Sequence, residues 1–187
     1  ATFAALMGGV PLRAADTAPP ASSETKSSTA PPVNFGVIGL GVRGREILKT
    51  LSIMPNAPVV SICDNFEAMI KRSKDSAPKA ETCTDYKQLL ANKEVQAVVV
   101  ATPTHLHKDI VIDALKAGKH VYCEMPLAHT LEDAKAIALA ARGAYKLNFQ
   151  AGLPNRSDPQ RYHVMSFIRA GSMGKTIMGR AQWHKKQ

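Results

Sequence analysis

Short apolar runs alternate with segments of helical periodicity from residue 33 to residue 171. The run VQAVVVA over residues 95–101 is rich in β-branched residues, as expected for a strand buried on both faces. Residues 106–116 instead repeat their apolar side chains at helical spacing. Strands are predicted over residues 33–39, 58–63, 81–84, 95–101, 119–124 and 147–151. Helices are predicted over residues 44–54, 66–76, 86–91, 106–116 and 131–142, and from residue 159 to just before Gly171.

The regular alternation of these strands and helices predicts the fold class. Strands joined by a helix pair in parallel through right-handed crossovers, and the helices then cover both faces of the sheet. We therefore predict an α/β domain with a doubly wound parallel sheet over residues 33–153.

Residues 154–187 are predicted to begin a second α/β domain. Asp158 and Pro159 have the types favoured at a helix N-cap and first position. Residues 176–184 then alternate apolar and polar side chains, which is typical of a half-solvated strand. We expect this segment to be the first strand of the second domain.

Residues 1–32 differ from the rest of the chain. Residues 1–12 are apolar except for Thr2 and lead into Arg13-Ala14-Ala15, a pattern typical of the end of a secretory signal peptide. Modest hydrophobicity and two glycines favour the twin-arginine type, so we expect export to the periplasm. A disordered N-terminus on a cytoplasmic protein is the alternative. Residues 16–32 are rich in Ala, Ser, Thr and Pro and are predicted to be a flexible linker.

Composition and charge narrow the range of partners. Residues 142–187 hold nine of the 24 basic residues and one of the 15 acidic residues, so the net charge of +9 is concentrated there. Because it is not spread over a binding face, we predict no nucleic-acid partner. No apolar run reaches the roughly 18 residues of a membrane span, so no membrane partner is predicted. The spacing of Cys63, Cys83 and Cys123 matches no zinc or redox motif, which favours buried, inert thiols.

One glycine motif carries the candidate chemistry, between a predicted strand and a predicted helix. It consists of Gly39, Leu40, Gly41, Val42, Arg43 and Gly44. In a G-x-G-x-x-G motif the first glycine permits a tight turn, the second lets a pyrophosphate approach the backbone, and the third lets the helix pack closely. Asp64 closes the next strand, where a carboxylate can accept hydrogen bonds from ribose hydroxyls. Together these features predict a Rossmann-type dinucleotide site.

Asp64 also bears on which dinucleotide is bound. A carboxylate at this position repels a 2′-phosphate, so we predict NAD as the cofactor. Arg43 and Arg72 leave NADP open, because either guanidinium could pair with that phosphate.

Four segments together resemble one family. They are GVIGLGVRG, VVVATPTHLH, GKHVYCEMPLAHTLEDA and IRAGSMGKTIMGRAQWH. They are similar to the N-terminal domain of the Gfo/Idh/MocA oxidoreductases, the group of glucose–fructose oxidoreductase and inositol dehydrogenase. The resemblance implies an NAD(P)-dependent oxidoreductase acting on a sugar, cyclitol or related polyol. It also implies a C-terminal α/β domain that completes the active site and forms a homo-oligomer.

The resemblance assigns further residues to the cofactor site. Glu124 and Pro126 match the ends of the family's Glu-Lys-Pro motif, near the nicotinamide ribose. Asn155 and Arg156 follow the sixth predicted strand, near the nicotinamide and substrate. The loop expected to line the dinucleotide contains Ala101, Thr102, Pro103 and His105.

Met125 stands where the family motif has its catalytic lysine. A thioether carries no charge and no titratable proton, so the catalytic residue remains unassigned. Two alternatives stay open: an NAD-dependent glycoside hydrolase of the same family, and a non-catalytic dinucleotide-binding protein.

The histidines do not suggest a metal site. His105 and His107 occupy alternate positions at a helix start and point in different directions, without a Cys or carboxylate cluster beside them. His129 precedes a predicted capping box that begins at Thr130 and is expected in a loop. His184 is expected to face solvent or a partner subunit.

Overall fold

Six parallel strands form a single sheet in the computed structural model, which describes residues 31–153, 158–175, 177–180 and 182. The strand order is β3-β2-β1-β4-β5-β6, and every neighbouring pair is parallel. This is the strand order of the Rossmann fold, so the predicted fold class is confirmed. The strands are β1 (Phe35–Ile38), β2 (Val59–Cys63), β3 (Glu81–Cys83), β4 (Ala97–Val100), β5 (His120–Cys123) and β6 (Phe149–Ala151).

Helices follow the strands in the predicted order. They are α1 (Val42–Ser52), α2 (Glu67–Ser73), α3 (Tyr86–Ala91), α4 (His107–Lys116), α5 (Leu131–Gly143) and α6 (Pro159–Arg169). Helix α1 begins two residues before the predicted start, so its first turn belongs to the glycine motif. The helix predicted over residues 66–76 ends at Ser73 and continues as a 3-10 turn over Lys74–Ser76.

The core lies on both faces of the sheet. Successive side chains of a strand point to opposite faces, so Val98 and Val100 pack beneath α3, α4 and α5, whereas Val99 packs with residues of α1 and α2. All four residues of β4 are buried. Strands β1 to β3 are added toward one edge of the sheet, and β4 to β6 are added toward the other. The switch point of the topology therefore lies between β1 and β4. In open parallel sheets, ligands bind beyond the carboxyl ends of the strands at this point.

Two local predictions are refined by the structure. The Thr130 hydroxyl accepts a hydrogen bond from the Asp133 N–H at 3.1 Å, as in a capping box. The Asp133 carboxylate also pairs with Lys108 at 3.0 Å, and its other oxygen lies 3.5 Å from His129 Nδ1, just before the helix. This ion pair lowers the pKa of Asp133, chiefly through its hydrogen bond with Lys108, and links α4 to α5. Gly118 has a φ of +74°, the conformation expected just after a helix.

The strand predicted over residues 176–184 is not formed in the part that the structure describes. Residues 177–180 and 182 have no strand conformation. Ile177 and Met178, predicted on opposite faces, are 93% and 85% exposed. A strand needs a hydrogen-bonded neighbour, and alternation within one segment cannot supply it.

Several predictions concern residues outside the described part. These are the signal segment and most of the linker over residues 1–30, Asn155, Arg156 and His184. Within the described ranges, the helices are too short or too polar to cross a membrane.

Candidate functional site

The turn after β1 requires glycine at its first position. Gly39 has a φ of +91°, and a Cβ there would lie 2.7 Å from the Ala101 carbonyl carbon and oxygen. Its N–H donates to the Cys63 carbonyl at 2.8 Å. The turn is therefore held between the ends of β2 and β4, and a side chain would have no room.

The other two glycines of the motif have different surroundings. A Cβ on Gly44 would overlap the Gly39 carbonyl oxygen, so this glycine lets α1 pack against the turn. A Cβ on Gly41 would meet no atom within 4 Å, and its φ of −60° suits any residue. Gly41 thus faces open space at the N-terminus of α1.

The N-terminus of α1 is suited to binding an anion. Its N-cap is Gly41, which supplies no side-chain cap for the N–H groups of the first turn. Those N–H groups have no partner within the helix, and the helix dipole is positive at this end. Phosphate oxygens are bound at helix N-termini for these two reasons.

A cleft of about 680 Å³ opens beside this helix end. The glycine motif forms one side, residues 63–66 form a second, and residues 101–103, 105 and 106 form a third. In the described part of the chain, one buried side-chain polar atom has no hydrogen-bond partner, the Oγ1 of Thr102. Because Thr102 lines the cleft, an unpaired hydroxyl there fits a site that receives a polar ligand.

Asp64 supports the glycine turn as well as lining the cleft. One carboxylate oxygen accepts the Leu40 N–H at 2.7 Å, and the other accepts the Phe66 N–H at 2.9 Å. Each oxygen of a carboxylate has more than one acceptor direction, so both remain able to bond a ribose hydroxyl. Asp64 thus lines the cleft, and its support of the turn is a second role that the sequence did not suggest.

Glu124 is a buried carboxylate at the end of β5, 6% exposed. Its Oε1 accepts from the Tyr122 hydroxyl at 2.9 Å and from Arg43 Nε at 3.0 Å, and its Oε2 accepts the Met125 N–H at 3.3 Å. Burial and the hydrogen bond with Glu124 raise the pKa of Tyr122, so this phenol stays a donor. Three donors therefore fix the orientation of the carboxylate.

Arg43 is engaged by two carboxylates. Its Nη1 lies 3.1 Å from Glu46 Oε2, while its Nε bonds Glu124. These contacts raise the pKa of Arg43, the bond to Glu46 most strongly. The sequence suggested that Arg43 or Arg72 could pair with a 2′-phosphate. In the structure Arg43 is instead bonded on the Glu124 side, and Arg72 is exposed on α2.

The model of the oxidoreductase family with an NAD-binding Rossmann fold, Gfo/Idh/MocA, matches residues 33–152. The chain belongs to this family. Its cofactor is accordingly NAD, in agreement with the prediction from the glycine motif and Asp64.

Two curated relatives show the range of the family. Inositol 2-dehydrogenase of Salmonella typhimurium is 30% identical over 145 residues, which are 76% of this chain and 43% of the relative. Glycosyl hydrolase family 109 protein 1 of a Shewanella species is 28% identical over 160 residues, which are 81% of this chain and 35% of the relative. The chain thus spans less than half the length of the curated relatives it matches.

Solved structures agree with the family assignment. The chain is similar to myo-inositol 2-dehydrogenase from Lactobacillus plantarum, with a TM-score of 0.73 and 25% identity. The similarity covers 77% of this chain and 43% of the solved one.

This Gfo/Idh/MocA domain brings most of the predicted cofactor residues together. The cleft is lined by Gly39, Gly41, Val42, Arg43, Asp64, Ala101, Thr102, Pro103 and His105. Leu40 is buried and holds Asp64 through its N–H. Glu124 is joined to the glycine motif through Arg43, and Pro126 follows Met125 in a cis peptide bond.

His107 is a residue whose role the sequence analysis missed. It is 1% exposed, and its Nε2 lies 2.8 Å from the Thr102 carbonyl oxygen while its Nδ1 lies 3.1 Å from the Pro126 carbonyl oxygen. The ring thereby connects the loop after β4 to the loop after β5. In the described residues, no group of three His, Cys, Asp or Glu side chains is arranged to hold a metal ion.

The three cysteines near the site differ in burial. Cys63 and Cys123 are buried, and Cys83 is half-buried. Burial raises the pKa of Cys123 to about 12 and that of Cys63 further, so both remain thiols at neutral pH. The predicted burial is confirmed for these two residues.

Proposed function

We propose that this domain serves an NAD-dependent dehydrogenase that oxidises a hydroxyl group of a cyclitol or related polyol. The observation that carries the proposal is the open space at Gly41, at a helix N-terminus that has no side-chain cap. Gly41 and Asp64 line the same cleft. Membership of the oxidoreductase family and the inositol dehydrogenases among the relatives support the substrate class.

Different residues of the described part would bind different groups of the cofactor. The N–H groups at the start of α1 would hold the pyrophosphate, with Gly41 leaving room for it. Asp64 would accept the adenosine ribose hydroxyls, and Thr102 would line the path toward Glu124 and the nicotinamide ribose. When bound, NAD supplies the acceptor for a hydride from the substrate carbon.

The described residues at the nicotinamide end are suited to positioning the cofactor and not to accepting a proton from the substrate. Met125 has no titratable proton, and the raised pKa of Tyr122 keeps its hydroxyl protonated. Glu124 already accepts three hydrogen bonds. We therefore propose that the proton acceptor is contributed by a second domain, which would also bind the substrate.

The direct test is NAD reduction by the whole protein with myo-inositol, scyllo-inositol and glucose as separate substrates. We expect NADH to appear with at least one cyclitol. Residues 33–187 alone should bind NAD and oxidise none of them. Failure of the whole protein to bind NAD would contradict the proposal at its first step.

A glycoside hydrolase is the second candidate, because Met125 replaces the motif lysine and a family 109 glycosyl hydrolase is among the relatives. Such an enzyme oxidises its substrate only transiently. It would release the leaving group of an aryl glycoside without net formation of NADH. Measurement of both products in one reaction separates the two candidates.

Asp64 gives a prediction about cofactor choice. The parent protein should bind NAD more tightly than NADP, and Asp64→Ala should reduce the ratio of the two affinities by about 10-fold, since the repulsion of the 2′-phosphate is lost. Because Asp64 also holds the Leu40 N–H, the variant should bind both cofactors more weakly. The ratio, measured by isothermal titration, separates cofactor choice from loop support. Tighter binding of NADP by the parent would contradict the assignment.

Two further proposals concern the whole protein. Export by a twin-arginine signal is supported by the apolar pattern of residues 1–12, and a homo-oligomer is supported by the family resemblance. Fractionation of the native host and light scattering of the purified protein test these two proposals.

A further inference from the structure

We propose that Arg43 is a positioning residue for the nicotinamide end of the site, holding the buried Glu124 carboxylate from the first turn of the phosphate-binding helix. The inference rests on the proposed NAD-dependent function. It assigns Arg43 to the opposite end of the cofactor from the 2′-phosphate considered in the sequence analysis.

The Glu124 carboxylate is buried and needs a partner. The side chain of Glu124 is 8% exposed, and a carboxylate removed from water to this extent needs an ionic or strongly hydrogen-bonded partner. Among the described residues, Arg43 is the cation within ion-pair distance of it. Tyr122 and the Met125 N–H are neutral donors.

The Arg43 guanidinium has a geometry that suits this contact. Nε binds Glu124 while Nη1 binds Glu46 one helical turn further along α1. The rigid, planar fork of arginine can serve both carboxylates at once, whereas an ammonium group is a point charge without that geometry. Glu46 therefore keeps Arg43 directed toward Glu124.

The neighbouring position carries no charge. Met125 supplies no positive charge beside Glu124. Arg43 approaches from α1, 81 residues earlier in the chain, and brings a cation to this carboxylate. The contact joins the helix that would bind the pyrophosphate to the loop that would bind the nicotinamide ribose.

The test compares two ligands in a set of variants. ADP contains the adenosine and pyrophosphate groups of NAD and lacks the nicotinamide riboside. If Arg43 acts through Glu124, Arg43→Gln should weaken NAD binding by about 10-fold and change ADP binding by less than about 2-fold. Glu124→Gln should do the same, and the double variant should lose no more than Glu124→Gln alone.

Controls separate positioning from general effects of charge and folding. Lys49→Gln removes a positive charge from the last turn of the same helix and should leave both affinities unchanged. Arg43→Lys should restore part of the NAD affinity, because it returns the charge without the fork. The double variant leaves no buried unpaired carboxylate, so it should fold even if Arg43→Gln is unstable.

Three outcomes would overturn the inference: equal losses for NAD and ADP in Arg43→Gln, which would place Arg43 on the phosphates; additive losses in the double variant; or unchanged NAD affinity in Arg43→Gln. Failure of the parent protein to bind NAD would instead refute the proposed function. The two failures are thereby distinguished.

Discussion

Gly41→Thr is expected to fold as stably as the parent protein and to lose NAD affinity by about 100-fold, equivalent to about 2.7 kcal/mol. The backbone of Gly41 has a φ of −60°, which threonine adopts without strain, and no protein atom lies within 4 Å of its added Cβ. Threonine and glycine are similar as helix N-caps. The new side chain should therefore leave the free energy of unfolding within about 0.5 kcal/mol while filling the space for the pyrophosphate.

Gly44→Ala is the matched control for this variant. A Cβ at Gly44 would overlap the Gly39 carbonyl oxygen, so α1 must shift away from the turn. This single methyl group should cost about 3 kcal/mol or more of stability. Urea unfolding and isothermal titration with NAD should thus separate a binding defect at Gly41 from a packing defect at Gly44. Retention of NAD affinity by Gly41→Thr would contradict the placement of the pyrophosphate.

The sheet could be predicted from the sequence because its signals are local. The apolar run of β4 and the helical spacing of α4 each occupy one short segment, and the buried residues of both match the predicted pattern. The strand predicted over residues 176–184 does not depend on local signals alone. Residues 177–180 have the alternation of a strand, but the hydrogen bonds that would form it must come from another segment.

The glycine motif and Asp64 could be predicted because their sequence signals are also local. The contacts around Glu124 could be predicted only in part. Tyr122 lies in β5 and Glu124 directly follows it, two residues later, so the period of a strand already places both side chains on one face. The approach of Arg43 depends on the strand order and on the direction of α1, which no local pattern contains.

His107 shows a signal that was present and not used. It precedes Ile110, Val111 and Ala114 at helical spacing, and all three are buried, so position 107 belongs to the inward face of α4. The sequence analysis considered His107 only as a metal ligand beside His105, so this position on the buried face was missed. A buried imidazole needs hydrogen-bond partners, and the carbonyls of Thr102 and Pro126 lie within reach.

Met125→Lys is expected to separate the candidate activities with a large change in rate. Lysine at this position would direct an ammonium group into the site. General acid–base assistance of this kind contributes about 10²–10⁴-fold to a rate. If the whole protein is a slow polyol dehydrogenase, kcat for cyclitol oxidation should rise by about 10-fold or more. If it is a glycoside hydrolase or a binding protein, polyol oxidation should show little gain.

The structure explains why the Met125→Lys substitution should leave the rest of the site intact. The Met125 side chain is 47% exposed, so an ammonium group there stays partly hydrated, and the contact of Met125 with Glu124 uses the backbone N–H. NAD affinity should therefore change by less than about 2-fold. Met54→Lys is the matched control, because Met54 is 49% exposed and lies in the turn after α1, outside the loop that follows β5. A fall in polyol oxidation in Met125→Lys, with Met54→Lys unchanged, would contradict the role that the family resemblance gives to position 125. It would indicate that a cation beside Glu124 and Arg43 disturbs the site.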